Sequence, residues 1–142
     1  MRPDAILIFD FGSQYSHLIA RRVRENKVYS EILSYDATVE EVVNLSERLN
    51  IKGLILSGGP LSVYREESPK LDKKILELGL PVLGICYGHQ LLAYMYGGVV
   101  KPAGRGEYGI TYVNIVKPVG VLEGLNVRER VWMSHSDAVY TL

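Results

Sequence analysis

Pro81-Val82-Leu83-Gly84-Ile85-Cys86-Tyr87-Gly88-His89-Gln90 is the stretch whose reading decides the fold. Pro81 to Ile85 reads as a short buried strand. Gly88 to Tyr96 reads as a helix stopped by Gly97-Gly98, a C-terminal cap. Between them, Gly84-Ile85-Cys86-Tyr87-Gly88 has the spacing of a nucleophile elbow, with cysteine in place of serine. A strand turning directly into a helix brings two backbones together, and glycines on either side of the nucleophile remove the side chains that would collide. The turn predicts Cys86 at a helix N-terminus, where the dipole and unpaired N–H groups favour thiolate over thiol. The Tyr87 N–H would point to where an oxyanion develops. A free cysteine taken alone is more often a small buried hydrophobe. The strand-turn-helix context is what favours the nucleophile.

Upstream of this stretch, strands and helices alternate. Ala5 to Phe9 is an apolar run ending at Asp10, as in a buried strand. Gln14 to Glu25 has apolar residues at helical spacing, with a charged opposite face. Tyr29 to Leu33 alternates as a strand does. Thr38-Val39-Glu40-Glu41 matches a capping box opening a helix to about Leu49. Gly53 to Leu56 is a third strand, closed by Ser57-Gly58-Gly59-Pro60. Ser68-Pro69 reads as the start of a helix ending at Gly79. Downstream of Gly98 the pattern becomes β-rich, with short strands at Val99-Val100, Thr111 to Val116, Val131 to Met133 and Val139-Tyr140. The fold class is therefore α/β, a mostly parallel central sheet flanked by helices with a β-rich C-terminal part. Asp10, Ser57 and Cys86 each follow a strand, so they are expected along the carboxyl edge where such sheets gather ligands.

The chain has 142 residues, enough for one domain with its own core, and the whole of 1–142 is read as one. Its 16 basic and 16 acidic residues balance, which gives no global reason to expect nucleic acid or an anionic membrane as partner. One cysteine cannot form an intrachain disulfide, which points to a reducing, cytoplasmic compartment. No apolar run reaches the roughly 18–20 residues of a membrane span, and the N-terminus lacks a signal-peptide pattern.

Ser57-Gly58-Gly59-Pro60 follows a neighbouring strand, and its paired glycines can aim backbone N–H groups at a ligand. It lacks the Gly-Lys-Ser/Thr ending of a phosphate-binding loop. A valine at Gly59 is expected to slow thioester formation while sparing the fold. A cysteine hydrolase also needs a base. His17 falls on the first helix, His89 on the helix after Cys86, and His135 lies in Trp132-Met133-Ser134-His135-Ser136-Asp137, with Asp137 nearby. The spacing leaves His135 open as a base.

Phe9-Asp10-Phe11-Gly12-Ser13-Gln14-Tyr15, Leu56-Ser57-Gly58-Gly59-Pro60 and the Pro81–Gln90 stretch, in that order, resemble class I glutamine amidotransferases. Arg105-Gly106-Glu107-Tyr108-Gly109 and the Trp132–Asp137 segment resemble the GMP synthetase branch. The resemblance implies that Cys86 forms a glutamyl thioester and releases ammonia. It implies that the N–H groups of Gly59 and Tyr87 hold the oxyanion, and that Gly58, Gln90, Ser134 and His135 help hold glutamine. The ammonia would pass to an ATP-pyrophosphatase domain or subunit that converts xanthosine monophosphate to GMP, a ligase step of purine biosynthesis. ATP and Mg are expected in that partner, with no cofactor or metal in this domain. The family's catalytic histidine and glutamate lie in a His-Pro-Glu segment that this sequence does not contain, so the domain is read as incomplete at its C-terminal end. Two other readings stand beside this one: a cysteine hydrolase of another branch using His135, and a non-catalytic module that keeps the fold.

Overall fold

Four parallel strands in the order β2-β1-β3-β4 form the central sheet. They are β1 (Asp4–Asp10), β2 (Tyr29–Ser34), β3 (Asn50–Leu56) and β4 (Val82–Gly84). The computed structural model describes residues 1–142, except for the side chains of Arg105 and Thr141. In β1, Ala5, Leu7, Ile8 and Phe9 are all fully buried, so both faces of this strand are covered. That burial explains the unbroken apolar run in place of alternation.

Helix α1 (Ser16–Glu25) packs on β1 and β2, and α4 (Tyr87–Met95) packs on β3 and β4. Two shorter helices, α2 (Val39–Leu45) and α3 (Lys73–Leu76), pack against each other. The Thr38 hydroxyl caps α2 by accepting from Glu41 N at 3.3 Å. The helix stops at Leu45, short of the expected Leu49. At the end of α4, Gly98 N donates to Ala93 O at 2.7 Å and Gly97 N to Tyr94 O at 3.1 Å. With Gly97 at φ +86° this is a Schellman cap, the reason the helix needs its glycine pair there.

Two expectations are corrected. The helix expected from Pro69 to Gly79 is the four-residue α3, and its N-cap is Asp72, not Ser68. The Asp72 carboxylate accepts from Lys74 N at 3.0 Å and from Val39 N at 3.1 Å, so one side chain caps α3 and ties it to the start of α2. The Ser68 hydroxyl instead donates to the Ser62 carbonyl. The short C-terminal strands are in fact two long ones, β5 (Val99–Asn114) and β6 (Arg128–Thr141), paired in a separate antiparallel sheet. Gly104 and Gly106 lie within β5. A Cβ at Gly106 would come within 2.9 Å of the His135 carbonyl on β6, so that glycine lets the two strands close up.

The chain divides into two units, Met1–Lys101 with Val139–Leu142, and Pro102–Ala138. The apolar core, including Leu7, Phe9, Leu54, Leu56, Ile75 and Leu91, belongs to the first.

Candidate active site

Cys86 has φ +51° and ψ −114°, a conformation rare for any residue but glycine. It sits between β4 and α4, as the N-cap of the helix. Strain of this kind costs on the order of 1–3 kcal/mol and persists only where the surroundings enforce it. Here two glycines do so. A Cβ at Gly88 would lie 2.2 Å from the Leu56 carbonyl oxygen, and one at Gly84 would lie 2.8 Å from the Gly88 backbone. The turn is pinned to β3 by Ile85 N donating to Leu56 O at 2.9 Å and Gly88 N donating to Ser57 O at 3.1 Å.

The Cys86 side chain is exposed. Protein atoms nevertheless crowd the sulfur enough to cost the charged form some hydration, and this burial pushes the thiol up from its ordinary value. The field of the α4 N-terminus acts in the opposite sense. Burial and the helix thus pull the thiol in opposite directions. Tyr87, next in sequence, is buried, and its hydroxyl donates to Pro69 O at 2.5 Å. Burial pushes that phenol up to about 12.

The Ser57–Pro60 loop lies directly beside the elbow. A Cβ at Gly58 would be 3.4 Å from the Cys86 Cβ. A Cβ at Gly59 would be 2.3 Å from the Phe11 carbonyl oxygen, so the expectation that valine at Gly59 spares the fold is corrected: the backbone itself must move. Among the described residues, no main-chain hydrogen bond uses the N–H of Gly59 or of Tyr87. The first N–H groups of a helix have no partner within it, so the Tyr87 N–H is available to a ligand.

The chain matches the Glutamine amidotransferase class-I family over residues 7–142. It belongs to that family. It is 49% identical over 139 residues to the GMP synthase [glutamine-hydrolyzing] of Clostridium tetani, covering 98% of this chain and 26% of the relative. It is 50% identical over 142 residues to the protein of that name from a Synechococcus strain, covering 100% of this chain and 26% of the relative. The chain thus spans about a quarter of the length of these relatives. Among solved structures it resembles a candidate GMP synthase subunit from Thermoplasma acidophilum, with TM-score 0.79 and 31% identity, covering 98% of this chain and 68% of that one. A glutamine amidotransferase of Thermotoga maritima shares the fold at TM-score 0.76 and 22% identity, covering 99% of this chain and 64% of that one.

The other residues expected in an amidotransferase site fall in different places. Gln90 is buried on α4, one turn after Cys86, and its N–H donates to the Cys86 carbonyl at 3.1 Å. Ser134 and His135 lie on β6, in the Pro102–Ala138 unit. Both ring nitrogens of His135 are engaged there. Nδ1 is 2.8 Å from the Asp137 main-chain carbonyl and Nε2 is 3.0 Å from the Glu107 carboxylate. A base oriented by the Asp137 carboxylate would need a different arrangement. His17 and His89 are exposed on α1 and α4. Arg105, part of the Arg105–Gly109 motif, lies outside the described side chains. Among the described residues, no three His, Cys, Asp or Glu side chains gather as metal ligands, and no helix is long and apolar enough to cross a membrane.

Sequence reasoning missed Ser16. It is the first residue of α1 and is 1% exposed, with its hydroxyl 3.1 Å from the Ser57 hydroxyl. No local pattern reveals this, because the partner lies 41 residues away.

Proposed function

We propose that this chain carries the glutamine-hydrolysing part of GMP synthesis. The observation that carries the reading is the positive φ of Cys86, enforced by Gly84 and Gly88 at the turn from β4 into α4. In this reading the Cys86 thiolate attacks the side-chain amide carbon of glutamine. The amide oxygen takes the negative charge and is held by the N–H groups of Gly59 and Tyr87, which stabilise charge that develops only in the transition state. Collapse breaks the C–N bond, leaving a glutamyl thioester on Cys86 and ammonia once the nitrogen gains a proton. Water then cleaves the thioester to glutamate and restores the thiol. Within the Met1–Lys101 unit, Gly58 and Gln90 hold the amino acid.

Expelling an amine needs a proton donor. His135 has both ring nitrogens engaged, so this reading assigns the proton transfer to the family's His-Pro-Glu segment, outside these residues. The ammonia is delivered to an ATP-pyrophosphatase domain or subunit, where ATP and Mg activate xanthosine monophosphate. The names of the Clostridium tetani and Synechococcus relatives support this product. The reading places the protein in the cytoplasm.

Ammonia release from glutamine tests the proposal, measured for this chain and for a version extended through a His-Pro-Glu segment. The extended version should turn over much faster, and Cys86→Ala should abolish release in both. Equal rates would return the base to His135 or His89, and release surviving in Cys86→Ala would end the reading.

A further inference from the structure

Gly59 and Tyr87, the two oxyanion donors, share one neighbour, Phe11. The Phe11 carbonyl oxygen lies where a Cβ at Gly59 would be, 2.3 Å away, and the Phe11 ring packs on the Tyr87 ring with centroids 5.4 Å apart. Gly12, the next residue, has φ +100°, and a Cβ there would meet the Pro60 ring at 3.3 Å. The segment after β1 is thus wedged against the Ser57–Pro60 loop. Its position is set by a chain of polar groups. Ser16 Oγ is 3.1 Å from Asp10 Oδ1 and 3.1 Å from Ser57 Oγ. The Asp10 carboxylate also accepts from Gly12 N at 2.9 Å, and Ser57 Oγ accepts from Phe11 N at 3.4 Å.

The Asp10 carboxylate sets the order of the protons in this chain. Ser16 has a single hydroxyl proton, and a carboxylate accepts only, so Ser16 donates to Asp10. Ser57 then donates to Ser16 at 3.1 Å, closer than its other acceptor, the Gly58 carbonyl at 3.4 Å, and its lone pairs are left for the Phe11 N–H. Ser16 and Ser57 are buried, so breaking the chain leaves a hydroxyl or N–H without a partner.

We infer that Asp10, Ser16 and Ser57 are positioning residues for the oxyanion site, setting the Gly59 N–H through Phe11. The inference rests on the function proposed above. None of the three is placed in contact with glutamine.

The test compares two reagents on the Cys86 sulfur of the whole chain. In both, sulfur forms a C–S bond and expels halide. A glutamine-mimicking chloroketone places its carbonyl oxygen in the oxyanion site, whereas iodoacetamide needs no such site. In Ser57→Ala and Asp10→Ala the limiting rate of chloroketone inactivation should fall about tenfold, less than the hundredfold or more expected when an oxyanion donor is lost outright. The half-saturating concentration and the iodoacetamide rate should stay within about twofold. Asp10→Asn keeps an oxygen acceptor and should restore most of the rate. Unchanged chloroketone rates in both alanine variants would overturn the inference. So would parallel losses with both reagents, which mean general loosening. If Ser57→Ala fails to fold, the half-exposed Asp10 decides between these outcomes. A wild-type chain that reacts with iodoacetamide but never with the chloroketone would instead end the functional reading itself.

Discussion

The Met1–Lys101 unit, with Val139–Leu142, and the Pro102–Ala138 unit differ in what holds them together. The first buries a continuous set of apolar side chains, from Ala5 on β1 to Leu91 on α4. In the second, Asp137 is the buried residue among those described, while Tyr108 is 70% exposed, Ile110 64% and Trp132 71%. The second unit is built on main-chain pairing of β5 with β6 and on surface pairs such as the Arg128 guanidinium over the Tyr112 ring at 4.4 Å. The sheet unit is therefore fixed by side-chain packing, and the hairpin unit by backbone geometry.

The largest expected effect comes from deleting a large apolar side chain in each unit. Phe9→Ala should cost about 3–5 kcal/mol, because Phe9 is fully buried and leaves a cavity. Trp132→Ala should cost less than about 1 kcal/mol, although tryptophan is the larger side chain. Urea unfolding followed by circular dichroism measures both, since Trp132 is the chain's single tryptophan and fluorescence would be lost. Comparable losses would show that the hairpin is held by a packed core after all.

A smaller effect separates two glycines. Gly88→Ala drives a methyl group to 2.2 Å from the Leu56 carbonyl and should cost about 3 kcal/mol. Gly104→Ala meets nothing within 4 Å and should change stability by less than about 1 kcal/mol, in the stabilising direction. The same unfolding assay checks the pair, and a tolerated Gly88→Ala would remove the steric reason for the elbow.

How much of each unit was legible follows from the same difference. The runs at Ala5–Phe9 and Gly53–Leu56 read as strands because burial on both faces leaves an unbroken apolar signature. The elbow reads as strand, turn and helix because its Gly-x-Cys-x-Gly spacing is local, with Gly84 meeting the Gly88 backbone at 2.8 Å; the contact of Gly88 with Leu56 on β3 is not. β5 and β6 read as fragments because only their apolar runs carry a strand signal, while the pairing that extends them comes from the other strand. The α3 boundary failed for a different reason. Ser68 and Asp72 are both capping residue types; Asp72 takes the role, accepting from Lys74 N and from Val39 N, 33 residues away, while Ser68 donates to Ser62. In the candidate site, the residues around Cys86 and the shared edge of Asp10 and Ser57 are legible, and the link through Ser16 is not, because Ser16 opens α1 and its partner Ser57 lies 41 residues away.

The smallest expected effect concerns the thiol itself. Burial raises its pKa, so at neutral pH the thiolate fraction is smaller than for an ordinary cysteine, and iodoacetamide should react more slowly. The rate should climb about tenfold per pH unit below the midpoint, with that midpoint above that of a model thiol. A midpoint below the model thiol would mean that the α4 N-terminus outweighs burial.

The central claim, that Cys86 is the nucleophile of a glutamine site, is tested most directly by intact-mass measurement after treatment with the chloroketone, with and without excess glutamine. The account predicts one adduct, located on Cys86, slowed by glutamine and absent in Cys86→Ala. An adduct that forms on Cys86 at the same rate whether or not glutamine is present would contradict it.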